Sequence, residues 1–392
     1  MSGTTSPTRN PSRREGLLFC LWVFLLVRLG LFVVGVISVG LFDPLDPASV
    51  PGWAARPVPD PGWHTLFTAW ERFDALWFLR IAAEGYRAAD GSAAFFPLYP
   101  LVVRAVSVLI GGHPFAAALL VSNAAFLGAL LVVYTLTRSE LSEPVARTTV
   151  VLLCFFPTAF FFFAPYSESL FLLLAATALW GARRRRWVVA GAAGFGAALT
   201  RNIGIVVAIA LAVEAIQQRA EGRPLLPGLL ASLGSGLGTL TVLVYWAVRA
   251  GDWLAPVHQQ ANWERGFSWP WVTLIEGTRA AFRYVGEANG PYWLIDWLIV
   301  VPVLAAAVYA LVRYRWTYGA YVWGSLLIPL GYVFPDRPLM SMPLFVLPLF
   351  PVFWAAAELV ERRGISRWAL AAVGAVGLGL LAPLFVNWYY IF

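Results

Sequence analysis

Residues 17–41 read LLFCLWVFLLVRLGLFVVGVISVGL, an apolar run of about 25 residues. A helix of roughly 20 such residues crosses the hydrocarbon layer of a bilayer, so this run is long enough to span. It is too long for a signal-peptide core of roughly 7 to 15 residues, and no small-residue cleavage site follows it. Residues 1–16, MSGTTSPTRNPSRREG, are polar, basic and rich in Pro and Ser. They are expected to form a disordered tail held in the cytoplasm by Arg9, Arg13 and Arg14.

The composition extends this reading to the whole chain of 392 residues, which is 60% hydrophobic and only 12% charged and carries 19 Trp. Soluble domains carry about twice that charged fraction, so an all-α polytopic membrane protein is expected. The formal net charge of +7 comes from short basic clusters between apolar runs. Such clusters set topology or meet anionic head groups, so membrane lipids rather than nucleic acid are the expected partners. Cys20 and Cys154 lie in apolar runs and give no disulfide framework, while His64, His113 and His258 are far apart and show no ligand spacing. Neither a metal nor another cofactor is expected.

Further apolar runs lie at about 94–110, 114–137, 148–164, 165–182, 187–217, 226–250, 293–312, 316–334, 338–360 and 367–391. The clusters Arg183 to Arg186, Arg219 with Arg223, Arg313 with Arg315, and Arg362 with Arg363 and Arg367 belong on the cytoplasmic side. With the N-terminus inside, that holds if 94–137 crosses once in net terms and 187–217 crosses twice. The triplet Thr200-Arg201-Asn202 divides 187–217 into two short halves, and Pro97, Pro100 and Arg104 make 94–110 re-entrant or interfacial. The result is about eleven spans, N-terminus in and C-terminus out.

Two long polar segments, 42–93 and 251–292, then fall on the outer face as first and second outer loops. The first contains DPLDPASVPGWAARPVPDPGW, whose prolines favour turns and extended chain, and the second is rich in Trp. Together they are expected to cap a cavity between the helices. No soluble domain or internal repeat is visible, so 17–392 reads as a single transmembrane domain.

Within the first loop and just beyond it stand RFDALWFLRIAAEGY and FFPLYPLVVR, followed downstream by FFPTAFFFFAPYSESLFLL. These ordered motifs resemble the GPI mannosyltransferase II (PIG-V type) family and its prokaryotic relatives. The resemblance implies a GT-C glycosyltransferase, a multi-span enzyme with its catalytic acid in the first outer loop. It also implies a polyprenyl-phosphate sugar donor, with mannose as the sugar, used on the outer face. High Ala, Gly and Arg content suits a GC-rich bacterium, hence a bacterial plasma membrane and a glycolipid, lipoglycan or cell-wall glycan as acceptor. One departure is plain: where the family has a basic residue after Ser-x-Pro, this chain reads SMPLFVLPLF, with Leu344 in that place.

Transfer to a hydroxyl needs a base beside the acceptor oxygen, and Asp74 is the candidate. Phe73, Leu76, Trp77 and Ile81 would lie along the membrane interface. The competing reading has Asp74 capping the helix or pairing with Arg72 or Arg80. Glu71 shares its helical face and is the second candidate, more solvent-facing. Glu84 is either an interface or capping acid or a substrate contact. The leaving phosphate gathers charge and needs cations aimed at it. Candidates are Arg201, His258, Arg265 and Arg337, with Arg80 a further substrate contact. Arg201 otherwise snorkels to the interface, and Arg337 otherwise joins Asp336 in a tight turn. Trp263 is placed for sugar stacking or for an interface belt. Glu168 is either functional or the first acid of a helix capped by Ser167. A transporter or flippase of lipid-linked sugars, or a non-catalytic scaffold, is the alternative. Against the transporter, the polar residues collect at span ends rather than at the bilayer midplane.

Overall fold

The computed structural model describes residues 13–42, 65–88, 90–287 and 290–391. The expected tail falls largely on 1–12 and the Pro-rich DPLDPASVPGWAARPVPDPGW on 43–63, both outside the described residues. The helix begins earlier than expected, because Arg13 to Gly16 already belong to its first turn.

The helices in chain order are α1 (Arg13–Leu41), α2 (Thr65–Thr68), α3 (Asp74–Glu84), α4 (Leu98–Leu109), α5 (Pro114–Glu140) and α6 (Glu143–Phe155). Next come α7 (Glu168–Arg183), α8 (Trp187–Thr200), α9 (Ile205–Ala220), α10 (Leu226–Ala250), α11 (Ala255–His258) and α12 (Pro270–Arg283). The chain closes with α13 (Pro291–Arg313), α14 (Trp316–Leu330), α15 (Met342–Phe345), α16 (Phe350–Arg362) and α17 (Arg367–Val386). Among the described residues, 6 helices are long and apolar enough to cross a membrane. They are Arg14–Leu41, Pro114–Glu140, Asn202–Ala220, Leu226–Ala250, Pro291–Arg313 and Arg367–Val386. The chain is a multi-pass integral membrane protein. Other apolar runs are broken by short helices: 148–164 and 165–182 are parted by irregular chain around a 3-10 turn at Ala159–Phe162, and 338–360 holds α15 and α16.

The break expected at Thr200-Arg201-Asn202 is present, with α8 ending at Thr200, Arg201 extended, and a 3-10 turn at Asn202–Gly204 leading into α9. Small residues on α10 bring both halves onto it. A Cβ on Gly191 would meet the Ala231 backbone at 3.1 Å and one on Gly238 the Phe195 carbonyl at 2.6 Å, so α8 and α10 run side by side in one direction. Gly228 lies against Ala215, and the Ser232 hydroxyl donates to the Ala208 carbonyl at 2.8 Å, which turns α9 the opposite way. The 187–217 run is therefore a helical hairpin with Arg201 at its tip.

Charge sorts the bundle into two ends. At the arginine end, Arg183 binds Glu140 at 2.8 Å and Glu214 at 3.0 Å, Arg315 reaches Glu214 at 3.2 Å, and Arg367 reaches Glu361 at 3.0 Å. These pairs join the ends of α5, α7 and α9 to the start of α14, and the end of α16 to the start of α17. The opposite end carries the segment around Asp74, the hairpin tip and the chain from 251 to 287. That segment is tied down by a short antiparallel pairing of Gly266 with Val333 and Phe267 with Tyr332.

Helix α3 departs from expectation. Leu76, Trp77 and Ile81 are buried within the protein rather than laid along an interface. They form an apolar cluster with Phe78, Phe95 and Tyr99, and Trp77 stacks on Phe95 with ring centroids 5.3 Å apart. The helix is apolar on nearly all sides, which suits burial among other helices rather than an amphipathic surface position.

Candidate active site

At the end opposite the arginine clusters lies a cavity of about 460 Å³. Asp74, Arg201, Arg265, Trp263, Ser341 and Tyr390 line it. The acid, the two cations and the aromatic come from three separate stretches of sequence, brought together by the hairpin tip and the two loops.

Asp74 is the first residue of α3. Phe73, not Asp74, takes the N-cap position, with no side-chain cap bond. The Asp74 carboxylate accepts no hydrogen bond from the described residues, so neither the capping nor the Arg72 or Arg80 pairing accounts for it. Its backbone N–H instead donates to the Tyr166 hydroxyl at 3.3 Å, and that hydroxyl donates to the Arg72 carbonyl at 3.2 Å. Tyr166 belongs to PYSES, so the first and third sequence motifs meet at the acid. Burial pushes the Asp74 carboxyl up to about 6, the nearby Glu168 charge adds to the rise, and Arg201 and Arg265 oppose it.

The backbone around the cavity is held in sparsely populated conformations. Phe73 has φ 52°, Glu264 φ 54°, Ser341 φ 66° and Trp388 φ 68°. Left-handed backbone costs a side-chain-bearing residue about 1 kcal/mol or more, and such residues collect where surrounding structure enforces a geometry. Phe73 and Ser341 are in the cavity wall, Glu264 lies between the lining residues Trp263 and Arg265, and the Trp388 ring packs on Phe73.

Arg201 donates through Nη1 to the Ser167 hydroxyl at 3.2 Å and forms an ion pair with Glu168. Its guanidinium also lies 5.2 Å from the Phe345 ring centroid. Ser167 thus serves as the arginine's acceptor and makes no cap bond at the start of α7, contrary to the capping reading. Glu168 is buried and fixes Arg201; one carboxylate oxygen, Oε2, and Arg201 Nε have no hydrogen-bond partner among the described residues. Arg265 donates to the Ser341 hydroxyl at 2.7 Å. Burial lowers its guanidinium from the ordinary value, Tyr390 and Asp74 oppose that shift, and Arg201 adds to it. Trp263 packs on Trp77 and Phe95 at 5.4 and 5.7 Å. A Cβ at Gly91, where φ is 96°, would come 2.8 Å from its ring. Gln259 Oε1 accepts from the N–H groups of Gly91 and Ala93, each at 3.1 Å, so the second loop clasps the first over the cavity.

Other sequence candidates lie elsewhere. Glu71 is half-buried rather than solvent-facing and outside the cavity lining; burial pushes its carboxyl up to about 7, against the charge of Arg72. Arg80 is fully buried, paired with Asp90 at 2.5 Å and 4.4 Å from the Trp77 ring centroid. Glu84 is exposed and pairs with Arg87 at 2.6 Å, and exposed His258 faces Asp252 at 2.9 Å. Arg337 does sit in the tight turn beside Asp336, its N–H donating to the Phe334 carbonyl at 3.2 Å, and its guanidinium is buried against Asp296 at 2.6 and 2.9 Å. Sequence reasoning missed Tyr390 and Ser341. The signal for Tyr390 was the aromatic NWYYIF at the exit of the last span, which resembles any interface belt; Ser341 carries none. No group of three or more His, Cys, Asp or Glu side chains suited to a metal occurs among the described residues.

Comparison with known proteins gives one family match, over part of the chain. Among curated proteins none matches the sequence. Among solved structures, the chain is similar to the Archaeoglobus fulgidus oligosaccharyltransferase complexed with Zn and sulfate. The TM-score is 0.42 at 15% identity over 92% of this chain and 53% of that one. A second is the archaeal oligosaccharyltransferase AglB from the same organism, in complex with an inhibitory peptide and a dolichol-phosphate. There the TM-score is 0.38 at 14% identity, over 94% of this chain and 56% of that one. The chain therefore spans about half the length of these solved proteins. Residues 42–219, which hold Asp74, all three sequence motifs, Glu168 and Arg201, match the family model described as Mannosyltransferase (PIG-V), the family that the motifs resemble.

Proposed function

We propose that the chain is an inverting GT-C mannosyltransferase that takes mannose from a polyprenyl-phosphate donor and passes it to a glycolipid or glycan acceptor. The observation that carries this reading is a carboxylate without a hydrogen-bond partner among the described residues, Asp74, sharing one cavity with Arg201 and Arg265. The family match over 42–219 supports mannose as the sugar. With the arginine clusters on the cytoplasmic side, the cavity opens on the outer face, here of a bacterial plasma membrane.

In the reaction the acceptor oxygen bonds to C1 of the sugar while the C1–O bond to phosphate breaks. The acceptor proton goes to Asp74, and the departing electron pair leaves with the polyprenyl phosphate. Asp74, held near 6, is mostly ionised at neutral pH and close enough to that pH to be an effective base. Arg201 and Arg265 face the developing phosphate charge from fixed positions, so little reorganisation accompanies bond cleavage. One base without a carboxylate nucleophile gives a single displacement, with inversion at C1. Trp263 offers an aromatic face to the sugar.

The test is transfer of labelled mannose from polyprenyl-phosphate mannose by membranes containing the chain or its Asp74→Asn variant. The reading expects transfer by the wild type and none by the variant at equal expression. Undiminished transfer by the variant would remove Asp74 as base, and a wild type inactive with every glycolipid and glycan acceptor would favour a transporter or scaffold.

A further inference from the structure

The segment that follows α17 is held at the cavity by two arginines whose charge serves no substrate in the mechanism above. Arg72, two residues before the base, donates through Nε to the Val386 carbonyl at 2.6 Å and sits 4.7 Å from the Trp388 ring centroid. Arg337, locked to Asp296, donates to the carbonyls of Ile391 at 2.6 Å and Tyr390 at 3.3 Å. Phe73 closes the assembly, with ring centroids 5.4 Å from Trp388 and 5.5 Å from Tyr390. A buried guanidinium spent on main-chain carbonyls fixes a backbone path, and here that path carries a tyrosine into the cavity.

We propose that Tyr390 is a specificity-determining residue that contacts the transferred sugar through its hydroxyl, and that Arg337 with Asp296 is the pair that positions it. This rests on the glycosyl-transfer reading above. In a single displacement C1 lies between the base and the phosphate, so groups on the wall between Asp74 and the arginines face the sugar ring. Tyr390 packs against the residue next to Asp74 and shares the cavity wall with Arg265. Its side chain is half exposed, and its hydroxyl meets no hydrogen-bond partner among the described residues. A phenol can donate and accept, which matches a sugar hydroxyl. Sites that hydrogen-bond a substrate hydroxyl discriminate strongly against analogues lacking it in place.

The full chain in lipid nanodiscs is assayed with polyprenyl-phosphate mannose and polyprenyl-phosphate glucose, as wild type, Tyr390→Phe, Arg337→Lys and the double variant. Tyr390→Phe keeps the ring and is expected to lower kcat/KM for the mannosyl donor about tenfold, the loss of one hydrogen bond, while narrowing the preference for mannose over glucose. Binding of sugar-free polyprenyl phosphate stays unchanged. Arg337→Lys reproduces that kinetic change, and the double variant is no worse than either single one. Tyr390→Phe with both kcat/KM and donor preference unaltered overturns the sugar contact while leaving the functional reading intact, and a lowered kcat/KM with unaltered preference between these C2 epimers overturns the specificity role. Arg337→Lys kinetics identical to wild type, or additive with Tyr390→Phe, overturn the positioning role; should Arg337→Lys fail to fold, Tyr390→Phe alone decides the sugar contact, and Asp296→Asn replaces it for the positioning pair. A wild type that uses neither donor overturns both readings together.

Discussion

Glu214 and Asp74 are carboxylates at opposite ends of the same bundle, and their surroundings treat them in opposite ways. Glu214 accepts from Arg183, Arg315, Thr317 and Gln218, so its oxygens are filled by the protein. Asp74 accepts from no described residue, and the arginines nearest it are only partly engaged, with Arg201 Nε left without a partner among the described residues. Satisfied charge welds helices together, whereas unsatisfied charge in a cavity costs stability unless something else completes it. The residue types at the two ends are alike; the difference lies in what is left over for a ligand.

Variants can break or sharpen this contrast. Asp74→Asn should remove transfer by about a thousandfold or more in kcat at unchanged melting temperature, the scale expected for a general base. Loss of fold in place of loss of turnover would make Asp74 structural after all. Arg265→Ala, at the open end, should cost about a hundredfold in kcat through the phosphate's developing charge, with the protein still folded. Kinetics in which only the acceptor KM moved would contradict that. Glu214→Gln should do the reverse: a loss of about 2 kcal/mol in stability, since it removes the carboxylate that Arg183 and Arg315 share while each keeps a second acid, Glu140 and Glu221, and unaltered turnover per folded molecule. Thermal denaturation in detergent measures the first quantity and single-turnover transfer the second.

A milder lever is acidity. Because burial raises the Asp74 carboxyl to about 6, it takes up its proton as the pH falls through that value and can no longer accept one from the acceptor. The kcat/KM profile should therefore fall about tenfold per pH unit below 6. A profile flat down to pH 4.5 would point to a base with an ordinary carboxylate value. The smallest effects belong to candidates outside the cavity: Glu84→Gln and His258→Ala should change transfer by less than about twofold, as exposed substitutions commonly do.

Much of this contrast was legible in the sequence. Arginine clusters between apolar runs anticipated the end where Arg183, Arg315 and Arg367 gather, and a three-residue polar interruption marked the hairpin tip that carries Arg201. Asp74 stood out because an acid beside an aromatic run is rare in so apolar a chain. What the pattern hid was long-range company. Nothing local says that Arg337 pairs with Asp296 rather than its neighbour Asp336, because the partner sits one helix away. Helix α3 was misjudged for a related reason: an apolar surface looks the same whether lipid or protein covers it, and only packing against Phe95 and Tyr99 decides. Backbone strain at Phe73 and Ser341 has no signature in side-chain chemistry at all.

The hairpin tip also has a weakness. A Cβ on Gly204 would lie 2.3 Å from the Ala197 carbonyl oxygen and 2.5 Å from the Ala198 Cα. One added methyl there cannot be absorbed by rotating a side chain, since main chain stands on the far side; the tip itself must lift. Arg201 rides on that tip. The position of a charge in the cavity thus depends on a hydrogen atom three residues away, and a Gly204→Ala change would act as a misalignment delivered through the scaffold, with no group in the cavity removed.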